Sequence, residues 1–247
     1  MSRPRKATGV VLAAIAVAGT VAVSRPPSAS AARDGELWGA ATIAPGRAGI
    51  VEVSGYGGAA PGPGSALTLT APDDSEVTGV PLAASGYRGE VAAGGGTGTY
   101  TFTSTSAEGT FPFVLTVAPD AVPGTRLPGC VLRLTDGRGA VTEQGTCEVT
   151  VGLPEPTLTR PESGVPLPAR PEASGTAYPG AQVTVRDALE NEVCATTTTA
   201  EGTWSCAPAA DLPAGVGLLQ ATATLNGVSA MSEQITITVA GRALPRA

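Results

Sequence analysis

After residue 40 this chain consists of short β-branched or aromatic stretches, each stopped by glycine or proline, and no segment reads as a long amphipathic helix. Ile50-Val51-Glu52-Val53, Ala66 to Thr70, Thr99 to Thr103 and Phe111 to Val117 are strands by this pattern, followed by Val131 to Leu134 and Cys147 to Val151. Punctuation of this kind leaves no room for helix propagation and confines the chain to an all-β architecture. Strands so short and so regularly spaced fit a sandwich of stacked sheets. A second set covers Gln182 to Arg186, Glu192 to Thr196, Thr203 to Cys206, Leu218 to Thr224 and Gln234 to Val239. In the last of these Ile235, Ile237 and Val239 fall on one face, with Gln234, Thr236 and Thr238 on the other.

The two sets repeat each other. Ala107-Glu108-Gly109-Thr110-Phe111 returns as Ala200-Glu201-Gly202-Thr203-Trp204, each after a run of Ser and Thr. The first copy is followed by Ala121-Val122-Pro123-Gly124, a strand, Asp136-Gly137 and a strand closing at Thr150-Val151. The second is followed by Leu212-Pro213-Ala214-Gly215, a strand, Asn226-Gly227 and a strand closing at Thr238-Val239. Landmarks in one order, about 90 residues apart, imply a tandem repeat of one Greek-key-like unit. The aromatic ending each copy is a packing residue by this reading, and Trp204 in particular belongs to the core.

Gly175-Thr176-Ala177, Pro179 to Val185, Gly202-Thr203-Trp204, Leu212 to Gly215 and Ala221 to Thr224 resemble the bacterial immunoglobulin-like modules repeated in surface and secreted proteins. The resemblance covers about residues 156–240, with the Cys194/Cys206 pair and a short Asn226-Gly227 loop as departures, and reaches the first half through the internal echo. It implies a spacer or adhesive module without catalytic residues. The expected fold is therefore all-β: two tandem immunoglobulin-like β-sandwiches after an N-terminal signal peptide. The first sandwich is expected over 36–152, a Pro-rich linker with the first edge strand over 153–172, the remainder of the second over 173–240 and a tail over 241–247.

Basic Arg3, Arg5 and Lys6, an apolar run from Ala7 to Val23 and small residues at Ala29-Ser30-Ala31 make 1–31 a secretory leader, cleaved after Ala31. The competing reading is a retained anchor. Cleavage is favoured because the run is mostly Ala and Val and a small-residue site follows it closely. No adjacent Arg pair, no Cys near the cut and no second apolar span point to another route, so secretion or loose retention in the cell envelope is expected, with no transmembrane span in the mature chain.

Taking Arg3, Arg5, Lys6 and Arg25 from the 15 basic residues leaves eleven against 21 Asp and Glu. An acidic surface repels phosphate backbones, and nucleic acid is not an expected partner. A protein or a cell-wall glycan remains. Four cysteines, Cys130, Cys147, Cys194 and Cys206, fall in the exported part, where disulfides form. Three pairings are possible; the local one is favoured, because Asp136 to Gly139 and Thr199 to Gly202 lie midway between close pairs. Each bridge would staple a hairpin, contributing about 3 kcal/mol. Zinc would require CxxC-type spacing that this chain lacks.

The chain has no histidine, and its one lysine is Lys6. Ser/His/Asp and Cys/His catalysis, Schiff-base chemistry and Lys-Asn crosslinking are thereby removed, so no enzyme, catalytic residue, cofactor or metal site is expected. Gly94 to Gly98 lacks the P-loop lysine and following helix and reads as a turn. Asp73-Asp74-Ser75-Glu76 offers oxygen ligands for calcium or a hydrolytic carboxylate pair, but without DxDxDG spacing a solvated turn is the simpler reading. Tyr56, Tyr87 and the adjacent Arg88 sit among glycines and are the candidate ligand-binding residues, as stacking surfaces for sugar or protein. The alternative is that each ring folds back onto the sandwich.

Overall fold

The computed structural model describes residues 36–55, 57, 60–82, 86–105 and 109–241. The expected leader lies outside these residues. In chain order the N-terminal set comprises β1 (Leu37–Ile43), β2 (Ala48–Val53), β3 (Ala66–Thr70), β4 (Ser75–Gly79), β5 (Tyr87–Val91), β6 (Thr97–Phe102), β7 (Phe111–Val117), β8 (Arg126–Leu127), β9 (Val131–Thr135) and β10 (Val141–Val151). The C-terminal set comprises β11 (Pro166–Leu167), β12 (Ala173–Thr176), β13 (Gln182–Asp187), β14 (Glu192–Thr197), β15 (Thr203–Cys206), β16 (Gly215–Leu225), β17 (Val228–Met231) and β18 (Ile235–Val239).

Both sets are wound alike. In the first, β1 runs parallel to β10 and the sheet continues through β9, β3, β6 and β5, with β8 also on β10; β2, β7 and β4 form its partner sheet. In the second, β11 runs parallel to β18 and the sheet continues through β16, β13 and β14, with β17 also on β16; β12 and β15 form the partner. First strand on last, last on its hairpin partner, and the remaining strands (three in the first set, two in the second) crossing to a second sheet is the order of an immunoglobulin-like sandwich. The fold is all-β, as the strand pattern predicts. Each set has its own hydrophobic cluster, the first ending at Val151 and the second beginning at Leu153.

Period-2 alternation builds both cores. On β7, Phe111, Phe113, Leu115 and Val117 are fully buried and the residues between them are not. Tyr87, Tyr100, Phe102, Phe111 and Phe113 meet there, mostly edge to face, with centroids from 5.1 Å to 6.3 Å apart. The Tyr100 hydroxyl donates to Pro112 O at 2.6 Å and accepts from Leu82 N at 3.1 Å, so the one polar atom of that ring is satisfied twice. Burial raises its pKa, opposed by the bond from Leu82. The second core is leaner: Val183, Val185, Ala221, Ala223, Ile237 and Val239 pack around Trp204, the single buried aromatic of its cluster.

The two cysteine pairings are Cys130–Cys147 and Cys194–Cys206, as the spacing predicts. The first staples the β9–β10 hairpin. The second does not staple a hairpin, which corrects the expectation for that pair: β14 belongs to the six-stranded sheet and β15 pairs with β12, so the bridge joins two sheets. The turn at Thr199 to Gly202 carries the chain across the sandwich rather than back along one sheet. A core with one large ring gains the most from such a tie.

Candidate functional site

Of the residues singled out in the sequence for chemistry or binding, Tyr87, Arg88, the Asp73 to Glu76 run, Gly94 to Gly98 and Trp204 fall among the described residues. Tyr56 lies outside the described residues. Tyr87 is buried at 7% exposure, its ring edge-on to Tyr100, Phe102 and Phe111, so it offers no stacking surface; the ligand-binding expectation for it is corrected. Register explains why: Tyr87 pairs with Phe102, and both point to the inner face. Arg88, one residue on, is exposed opposite Thr101. With the tyrosine turned inward, the two do not form a site.

The acidic run forms the turn from β3 to β4. Ser75 Oγ donates to Pro72 O at 2.8 Å, Asp73 N to Pro128 O at 2.9 Å and Ala118 N to Asp74 O at 2.8 Å, while the Asp73, Asp74 and Glu76 side chains face solvent. Among the described residues no group of three or more acidic, His or Cys side chains gathers as a metal ion requires. Gly94 to Gly96 makes the β5–β6 turn, with Gly95 O and Gly96 O accepting from Val77 N and Ala71 N, which ties it to the neighbouring strand ends. Trp204 is buried at 3% exposure.

What the strand pattern does not announce is the joint between the two cores. The β16–β17 turn has φ of 48° at Asn226 and 82° at Gly227, the conformation that Asn-Gly favours in a two-residue hairpin. Asn226 Nδ2 donates to Pro123 O at 2.9 Å, across 103 residues of sequence. Gly124, at φ 86°, lies under it: a Cβ built there would stand 2.5 Å from Asn226 Cβ and 2.6 Å from Asn226 O. Glycine is needed at that position on both counts. The connecting chain is short and anchored, with Gly152 N donating to Ile43 O at 2.8 Å and Leu153 buried in the second core. Within the Pro-rich stretch, Thr157 N and Thr159 N bond to Thr176 O and Ser174 O, and Leu167 is also buried. An open cleft of about 770 Å³ lies beside the joint, lined by Arg47, Pro154, Glu155, Pro156, Ser229 and Glu233 among others. It holds one arginine and two glutamates, with no nucleophile paired to a base.

No protein-family model matches the chain, and no curated protein matches it. Solved structures do. The BSP domain of a biofilm associated protein is 21% identical over 84% of this chain, with a TM-score of 0.30. The C-terminal domain of the Streptococcus agalactiae AgI/II polypeptide BspA is 11% identical over 81% of this chain and 95% of its own, at 0.27. The D0-D1 domain of intimin is 10% identical over 82% and 97%, at 0.26. This chain spans 30% of the length of the biofilm-protein structure. No helix among the described residues is long and apolar enough to cross a membrane.

Proposed function

We propose that this protein is a non-enzymatic spacer and binding module, exported to the cell surface or beyond, in which two tandem immunoglobulin-like domains are held in one fixed relation. The observation that carries this reading is the joint: Asn226 bonded to Pro123 O and seated over Gly124, where no side chain fits. A flexible pair of domains has no use for such a contact. An anchored connection through Gly152 and Leu153, in place of a long Gly/Ser tether, supports the same reading. Two disulfides suit an oxidising compartment, and the absence of histidine from the sequence supports a role without acid-base chemistry at neutral pH. A binding role rests on the exposed loops that differ between the halves and on exposed Arg88 of β5.

The test is separation of the host's culture medium, wall and membranes with crosslinking in place. Recovery in the medium or wall, attached to a protein or glycan, supports the proposal. Recovery of a reduced, cytoplasmic protein overturns it.

A further inference from the structure

The outer edge of the last strand differs between the two sandwiches. In the first, β1 lies along β10 over seven residues, from Gly145 to Val151. In the second, β11 lies along β18 at Thr238 and Val239, and Ser163 Oγ donates to Thr236 O at 2.8 Å. From Val228 to Ile235 no strand among the described residues pairs with that edge. β17 is held on its other side by β16, in a hairpin closed by Leu225 and Val228. Antiparallel alternation therefore turns the main-chain groups of Val228 and Ala230 toward β16 and those of Ser229 and Met231 outward. The matching stretch of β10, Val141 to Gln144, has a register shift and carries Glu143. β17 has unbroken register and holds neither a charge nor a proline, so it lacks what blunts its counterpart as a pairing edge.

This edge borders the cleft at the joint, where Ser229, Glu233 and Ile235 face Glu155 of the connecting chain and Arg47 of the first sandwich. Residues 242–247 follow β18 at its opposite end, and at about 3.6 Å each they cannot span the ten residues of sheet from Gly241 back to Met231. We propose that the cleft takes an extended segment of a partner protein, which adds a strand to β17 through the outward groups of Ser229 and Met231 and carries a basic residue for Glu155 and Glu233. Charge selects this occupant. Arg47, Glu155 and Glu233 are exposed and form no ion pair among the described residues, so the cleft presents two carboxylates to one guanidinium on a chain of net charge −6. A second copy of so acidic a chain would add carboxylates where they are already in excess. A cleft of about 770 Å³ also has the size of a ligand site, and it admits one extended segment where a folded sandwich would not enter. The site is separate from the exposed loops and Arg88 on which the binding role above rests, so either can fail without the other.

Amide hydrogen exchange read by NMR tests it on the full chain with both disulfides formed, the probe being a short synthetic peptide that alternates valine and threonine around a central arginine. In the free protein the Ser229 and Met231 amides should exchange fast while those of Val228 and Ala230 are protected, and the peptide should protect the first pair. Glu155→Gln with Glu233→Gln should weaken binding about tenfold, as should glutamate in place of the peptide's arginine. Ser229→Pro should abolish binding at a melting temperature close to the parent's, because an edge strand tolerates proline where its N–H faces outward. Protection of Ser229 and Met231 in the free protein overturns the proposal: in dilute solution another part of the chain covers the edge, and at high concentration alone a second copy does. Absence of binding overturns it as well, as does binding that leaves these amides exchanging or that survives Ser229→Pro or the change of arginine to glutamate.

Discussion

Tyr100 and Trp204 are both buried rings with a polar atom, and they differ in what that atom finds. The Tyr100 hydroxyl bonds both Leu82 N and Pro112 O, so Tyr100→Phe strands two main-chain groups; chemical denaturation should show a loss of about 1–3 kcal/mol at unchanged m-value. Trp204 Nε1 is buried without a hydrogen-bond partner among the described residues. Trp204→Phe should therefore cost less than about 1.5 kcal/mol, the more so as Phe111 fills the matching place in the first sandwich, whereas Trp204→Ala should cost about 3–5 kcal/mol. At Tyr87 the sequence is ambiguous for a physical reason. Flanking glycines report where backbone is free or closely approached, and only the pairing of β5 with β6 decides which way the ring points. Asp187 gives a pH signature. Its carboxylate accepts from the Asn191 side chain and from the Asn191 and Leu189 amides, which together lower its pKa against the opposing effect of desolvation. The stability it contributes is present above the ordinary carboxylate pKa of about 4 and is lost as pH falls through the lower folded value. Asp187→Ala should melt below the parent at neutral pH, and the gap should close in acid.

At the scale of elements, the strands of β7 and β18 are legible in the sequence because one face of each is buried and the other wet. Turns are less so, because different residues reach one geometry. Asp136 Oδ1 accepts from Arg138 N and Ala140 N, and Asp187 Oδ1 accepts from Leu189 N and Asn191 N, in five-residue turns of the same form. The left-handed position is Gly139 in one, at φ 82°, and Glu190 in the other, at φ 62°. Glu190→Gly should raise stability by up to about 1 kcal/mol and Gly139→Ala should lower it by a similar amount, measured by thermal melts. Strand breaks follow the same logic. β17 and β18 are separated at Ser232, whose hydroxyl accepts from Ala221 N at 3.0 Å in the gap of the ladder. A serine between strands does not declare that role in sequence. The second disulfide was legible as a pair and illegible as a bridge between sheets, since spacing counts residues and says nothing of which sheet the chain returns to.

For the whole molecule, the Glu-Gly-Thr-aromatic echo predicts a repeated unit, and Phe111 and Trp204 both sit buried near the start of their strands, β7 and β15. The joint was not legible. Asn226-Gly227 reads as an ordinary solvent turn, and its partner, Pro123, is 103 residues away. Long-range contacts of one side chain on one carbonyl leave no periodicity to detect. The joint is also where the account is most exposed to refutation. Spin labels at Gln144 and Thr197, exposed on the two sandwiches, report the spread of distances across it. A single narrow distribution is predicted, broadening when Asn226→Ala is combined with Gly124→Ser. A distribution already broad in the parent, or one that this double substitution leaves unchanged, would contradict a fixed pair of domains.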